Sequence, residues 1–133
     1  TDLYCKALQS GLFLFGAHPD VFAYNYHVWD DEAKACSKAI IECAASSGVA
    51  LEINSNGMRK RKVKTAQGER YAYPILPFWQ LASEYPVTVV TNSDAHKPSE
   101  IWAGLDKVVS FSQEAGITLA DYTLQNGVVS LGT

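Results

Sequence analysis

Apolar and polar positions alternate in character along this chain in blocks that read as helices and strands in turn. Residues 2–10 (DLYCKALQS) have the spacing of a short helix, with Gly11 as its C-terminal stop. The run LFLFG that follows is compact and apolar and predicts a buried strand over 12–16, ending at Ala17, His18 and Pro19. Residues 20–28 are aromatic and irregular and fit a helical turn. Asp30 or Asp31 can cap the next element, DEAKACSKAIIECAASSG, whose apolar positions Ala35, Ala39, Ile40 and Cys43 fall at helical spacing before Gly48. Residues 49–55 (VALEINS) read as a strand, 56–73 as a polar, basic loop, and 77–85 as a helix with Pro77 at its start. A strand over 87–91 comes next, then a helix from Pro98 and Ser99 with a break at Gly104. One or two short strands close the chain, with Asn126-Gly127 as a hairpin turn.

The order α-β-α-β-loop-α-β-α-β, with strands apolar at most positions, predicts an α/β fold with parallel strands covered by helices. An open doubly wound sheet and a slice of a (β/α) barrel both satisfy it. The 133 residues suit one domain or part of a larger one, and 47% hydrophobic content with seven Tyr, five Phe and three Trp is enough to fill a core. The net charge of −3 gives no general attraction to nucleic acid or membrane, and no apolar run approaches the roughly 18 residues of a bilayer span. Cys5, Cys36 and Cys43 lack CxxC spacing and read as reduced core thiols of a cytoplasmic protein, Cys36 and Cys43 on one apolar face.

Chemistry gathers where the strands end, and in both architectures that is where ligands bind. The first strand ends at His18 and Asp20. The second presents Glu52 and Asn54, then Asn56 and Arg59. The third ends at Asp94 and His96 in TNSDAHKP. Side chains two apart in an extended chain point the same way, so Asp94 and His96 could reach one site. An oxygen and an imidazole nitrogen suit zinc, manganese or iron, and His18 supplies a third donor from a neighbouring strand. The plain alternative is a capping Asp and a surface His. His27, among aromatics, reads as structural or superficial. Residues 59–70 hold Arg59, Lys60, Arg61, Lys62, Lys64 and Arg70, six of the eleven basic residues. This is either a solvated loop or an anion-attracting lid in which Arg59, five residues past Asn54, is best placed to clamp a phosphate. The acidic total and the lack of interleaved aromatics count against nucleic acid.

GAHPD, LEINSNGMR and TNSDAHKP, in this order and spacing, resemble the C-terminal half of the polymerase-and-histidinol-phosphatase (PHP) family, and most of all its monofunctional histidinol-phosphatase branch. The resemblance implies a distorted (β/α)7 TIM-like barrel with up to three divalent metals (Zn, Mn or Fe) at its C-terminal face. His18, Asp94 and His96 match metal ligands of that cluster, with Asp94 and His96 in the catalytic centre, and Arg59 and Asn54 match substrate-side positions. The implied reaction is hydrolysis of L-histidinol phosphate to L-histidinol and phosphate, in histidine biosynthesis. Another PHP phosphoesterase, such as a nuclease or a protein-tyrosine phosphatase, is an alternative, as is a non-catalytic module derived from the fold. The His-x-His of the family's first motif, its further histidines and its bridging glutamate are absent from this sequence. A full barrel needs roughly 200 or more residues, and Met58 is the one methionine. The expectation is therefore that residues 1–133 are the C-terminal part of a single barrel domain, inactive alone. Its open strand edges would favour association with a second copy.

Overall fold

The computed structural model describes residues 1–126 and 128–132. The chain runs through α1 (Asp2–Gln9), β1 (Phe15–Gly16), a 3-10 turn (Val21–Tyr24), α2 (Asp31–Ser47), β2 (Ala50–Asn54) and α3 (Asn56–Arg59). It continues with β3 (Val63–Thr65), β4 (Gly68–Arg70), α4 (Leu76–Ala82), β5 (Val89–Asn92), a second 3-10 turn (Pro98–Glu100), α5 (Leu105–Ala115), β6 (Asp121–Gln125) and β7 (Val128–Gly132). Among the described residues this is a mixed α/β fold around a small parallel sheet of three strands, in the order β1-β2-β5, with no closed barrel. No helix among them is long and apolar enough to cross a membrane.

All five residues of β2 are buried, as expected of a parallel strand sandwiched between layers. Its two faces are unequal. Leu51 and Ile53 join Val89 in the main core, with Ile40, Ile41 and Ala44 of α2, Phe78, Trp79 and Ala82 of α4, and Val108, Phe111 and Ala115 of α5. Ala50, Glu52 and Asn54 alternate with them and take the opposite face. There the apolar cluster is only Ala50, Val90 and Ala120, with Phe15 and Leu131 packed against it. The polar residues of β2 thus lie on the thinly covered side of the sheet.

α2 begins and ends where local chemistry requires. The Asp30 carboxylate accepts the Ala33 N–H at 3.0 Å, and Gly48 closes the helix at φ +66°. Its buried stripe is not the expected one. Ala35 and Ala39 are exposed, and the core-facing residues are Ala33, Ser37, Ile40, Ile41, Cys43 and Ala44. Alanine is small enough to sit on either side, so the two isoleucines set the phase. Ser37 is tolerated inside because its hydroxyl donates to the Ala33 carbonyl at 2.7 Å. Cys36 is half-buried, as is Cys5, while Cys43 is buried, and all three are free thiols.

Two further expectations are corrected. The strand over 12–16 shrinks to Phe15–Gly16, and Leu12, Phe13 and Leu14 are 81%, 53% and 42% exposed. β1 is the outer strand of the sheet, and an apolar run finds no burial where no described layer covers it. Residues 56–73 are not a loop. They form α3 and the antiparallel β3–β4 hairpin, anchored inward by Val63, Ala72 and Tyr73 while Lys60, Arg61, Lys62 and Lys64 stay outside. At the C-terminus β6 and β7 pair antiparallel, from Gln125↔Val128 to Asp121↔Gly132. Of the expected Asn126-Gly127 turn, Asn126 has φ +52° and Gly127 lies outside the described residues.

Gly57 explains why α3 can tuck under the hairpin strands. The carbonyl and ring of Tyr73 lie where a β-carbon at position 57 would stand. Gly57→Ala must displace backbone rather than a flexible tip, so it should lower stability by about 1–3 kcal/mol. Chemical denaturation would show this as a lower midpoint with an unchanged slope. A variant as stable as the parent would refute the close approach.

Candidate active site at the strand ends

β2 and β5 run side by side with Glu52 opposite Val90 and Asn54 opposite Asn92, so their polar residues emerge together at the carboxyl ends. Glu52, only 3% exposed, is the centre of this group. Its Oε2 accepts the main-chain N–H of His18 and the Nδ2 of Asn54, and its Oε1 accepts the Nδ2 of Asn92, each at 3.0 Å. A carboxylate taken out of water needs such donors. Asn92 Nδ2 also donates to the Tyr122 hydroxyl at 2.9 Å, which links the network to β6.

From Glu52 the network runs to Asp94. Asn54, 2% exposed, uses its Oδ1 to accept the Asn56 N–H, and Asn56 Nδ2 donates to Asp94 Oδ2, both at 2.9 Å. Partial desolvation alone would raise the Asp94 pKa. The Asn56 and Asn54 amides, with the charges of His96 and His18 nearby, outweigh it and hold the carboxyl below its ordinary value. Asp94 is therefore a carboxylate at neutral pH.

His18 and Asp94 share an unusual backbone, with φ of +31° and +50°. β5 has ended at Asn92, so Asp94 and His96 are not two steps of an extended strand and the alternation expected of them does not apply. They are still neighbours, brought together by a turn. His96 Nδ1 lies 2.9 Å from the Asp94 carbonyl and 3.9 Å from its Oδ1, on a side chain that is 72% exposed. The His18 ring lies 5.9 Å from that of Tyr73, and its Nδ1 is buried with no hydrogen-bond partner.

Arg59 does different work from a free phosphate clamp. Its Nη1 donates to Ser55 Oγ at 3.0 Å and to the carbonyls of Ser93 and Ala103 at 2.9 Å, tying α3 to the end of β5 and to the segment before α5. Asn54 is a buried link in the network. His27 is exposed, with Nε2 3.1 Å from the Tyr24 carbonyl. Sequence reasoning left Glu52 and Asn56 without a role, and nothing local marks their long-range partners. It placed Asp20 beside His18 at the end of the first strand and gave it no role. Asp20 is fully buried. Its Oδ2 accepts the Ile75 N–H at 2.7 Å and the Trp79 indole N–H at 3.0 Å, while Oδ1 has no partner. No group of three or more His, Cys, Asp or Glu among the described residues is arranged to hold a metal ion.

Burial pushes the Asp20 carboxyl up to about 6, against the pull of its two donors. A raised pKa in the folded state means stability that is complete below the unfolded value near 4 and lost as pH rises through about 6. Two pKa units correspond to about 3 kcal/mol. Asp20→Asn keeps an acceptor for Ile75 and Trp79 and removes the charge. It should flatten the decline in denaturation midpoint between about pH 4 and pH 7; an identical decline in parent and variant would remove Asp20 as its source.

No family model matches the chain, and no curated protein matches it.

Proposed function

We propose that this chain carries part of the metal centre of a PHP-type phosphoesterase, that its three-stranded sheet is a section of a distorted (β/α)7 barrel, and that the reaction is phosphomonoester hydrolysis with L-histidinol phosphate as substrate. One observation carries most of this. His18, Asp94 and the Glu52–Asn54–Asn56 network meet at the carboxyl ends of three adjacent parallel strands, where α/β folds bind ligands.

The residue types, though not an arranged set of three among the described residues, suit divalent zinc, manganese or iron. His18 Nδ1 is a buried nitrogen with no partner in the chain, Asp94 is held as a carboxylate, and the contacts of the exposed His96 with Asp94 run through Nδ1 rather than Nε2. Three donors do not fill the coordination of a multi-metal centre. The resemblance assigns the remainder to a His-x-His and a bridging glutamate that this sequence lacks. Bound metals would activate water and stabilise charge on the phosphoryl oxygens. The chain's own part is to orient. Asn56 fixes one oxygen of Asp94, Glu52 fixes the backbone of His18, and Asn54 fixes Asn56. Arg59, braced through Nη1, would turn its other N–H groups to the phosphate.

A non-catalytic module is the second reading, favoured by the absence of a metal-holding group of three among the described residues. Phosphate release from L-histidinol phosphate by the intact gene product, alongside its metal content, separates the two. The enzyme reading expects metal-dependent turnover that falls more than about a hundredfold in Asp94→Ala and about 10–100-fold in Asn56→Ala. Unchanged turnover in Asp94→Ala would overturn the ligand assignment. An intact gene product with neither metal nor turnover would establish the module.

A further inference from the structure

A hollow of about 300 Å³ lies apart from His18, Asp94 and His96, between the segment 22–29 and the β3–β4 hairpin. Its volume is at the small end of ligand cavities, which run from roughly 300 to 1,000 Å³. One wall is aromatic, built from Phe22, Tyr26, His27 and Trp29, and faces Ile75 and Pro77. A second, more open hollow of about 630 Å³ shares His27 and Glu69 with it and is lined by Arg61, Lys62 and Lys64. The two hollows adjoin at His27 and Glu69, an aromatic slot beside a basic lip.

A run of lysines is ordinarily a solvated face. Here the walls beside it are fixed. Arg70 Nη1 donates to the carbonyls of Tyr71 at 2.7 Å and Ala72 at 3.1 Å. Its Nη2 donates to those of Ala23 at 2.8 Å and Tyr26 at 3.4 Å. One guanidinium thereby fastens the hairpin to the aromatic wall. The Tyr26 hydroxyl donates to Asp30 Oδ2 at 2.6 Å, which sets the position of that ring. Arg61, Lys62 and Lys64 of the lip are exposed, and among the described residues none of them takes part in an ion pair, although Lys62 Nζ lies 5.6 Å from the centre of the Tyr71 ring. Glu69 is the one acidic group lining either hollow, at the point where they join.

We propose that these adjoining hollows bind a heteroaromatic ring carrying a phosphate, of which a nucleoside monophosphate is the simplest form. The ring enters the slot and stacks on the aromatic wall. The phosphate rests on Arg61, Lys62 and Lys64, where the planar fork of Arg61 can meet two oxygens. Glu69, placed between them, accepts from a ring N–H or amino group. The site is separate from the strand-end centre and does not depend on the phosphoesterase reading.

Adenosine 5′-monophosphate is the probe, titrated with chelator present so that no metal-dependent turnover intervenes. Binding is followed by indole fluorescence, with Trp29→Phe to assign the signal, and by amide shifts along 22–29 and 61–70. Saturable binding is expected, weakened at least about tenfold by the triple change Arg61→Ala, Lys62→Ala, Lys64→Ala. These side chains are exposed, so the fold should survive. Raising ionic strength from about 0.01 M to about 0.15 M, which shortens the Debye length from roughly 30 Å to roughly 8 Å, should weaken it too. Adenosine should bind more weakly and ignore the triple change, and Asp94→Ala should bind the monophosphate as the parent does. The proposal fails if no shifts appear along these segments or if the triple variant binds unchanged. It also fails if inorganic phosphate binds as well as the nucleotide, or if Asp94→Ala abolishes binding.

Discussion

The carboxylate of Glu52 is the constraint on which the rest of the site depends. A carboxyl group at 3% exposure is costly to bury without hydrogen-bond partners. Here the cost is offset by N–H donors from three places: the backbone just beyond β1, the same strand, and β5. Those donors coincide only when the three strands are in their observed register. A slip of one residue in β2 would carry Glu52 into the Leu51 and Ile53 layer and leave it unpaired. The polar site and the sheet therefore specify each other. The same carboxylate that organises the ends of the strands also fixes which residues line the face above them.

That face is the less covered of the two. Leu51 and Ile53 look into a layer of three helices, whereas Ala50, Glu52 and Asn54 look toward a small cluster reached by Phe15, Ala120 and Leu131. An open doubly wound sheet would place helices on both sides. A barrel would turn alternate residues of each strand inward, away from the helices. The asymmetry between these faces is what leaves the polar residues of β2 on the thinly covered side of the sheet. The exposed Leu12, Phe13 and Leu14 at the β1 edge belong to the same picture.

What the sequence made legible follows from how local each cause is. α2 could be bounded because Asp30 and Gly48 act on their own neighbours, and β2 and β5 because their composition suits burial. The phase of α2 was not legible, since Ala35 and Ala39 carry too little apolar surface to dictate a side. The strand over 12–16 failed because an apolar run does not say whether a partner covers it. The segment 56–73 failed because its basic residues outnumber Val63, Ala72 and Tyr73, the few that anchor it. At the strand ends, the motifs singled out His18 and Asp94. They could not assign Glu52, whose donors His18 and Asn92 lie 34 and 40 residues away. Nor could they show that Arg59 is engaged by Ser93 and Ala103 before any ligand arrives.

The backbone at His18 and Asp94 sharpens this last point. Both hold positive φ, a region that costs a non-glycine residue on the order of 1–3 kcal/mol and persists only where surroundings impose it. The surroundings are identifiable. The N–H of His18 is held by Glu52. Asp94 is held by Asn56 through its side chain, and His96 bonds to its carbonyl. Each unusual residue is thus tethered to the network that starts at Glu52 rather than to its own strand. Relaxing either into extended backbone would pull a side chain out of the shared site and release a donor or an acceptor from that network. A turn needed only to end a strand would be made more cheaply by glycine. His and Asp stand at these two positions instead, with one imidazole nitrogen buried and unpartnered, which supports the ligand-binding role we propose.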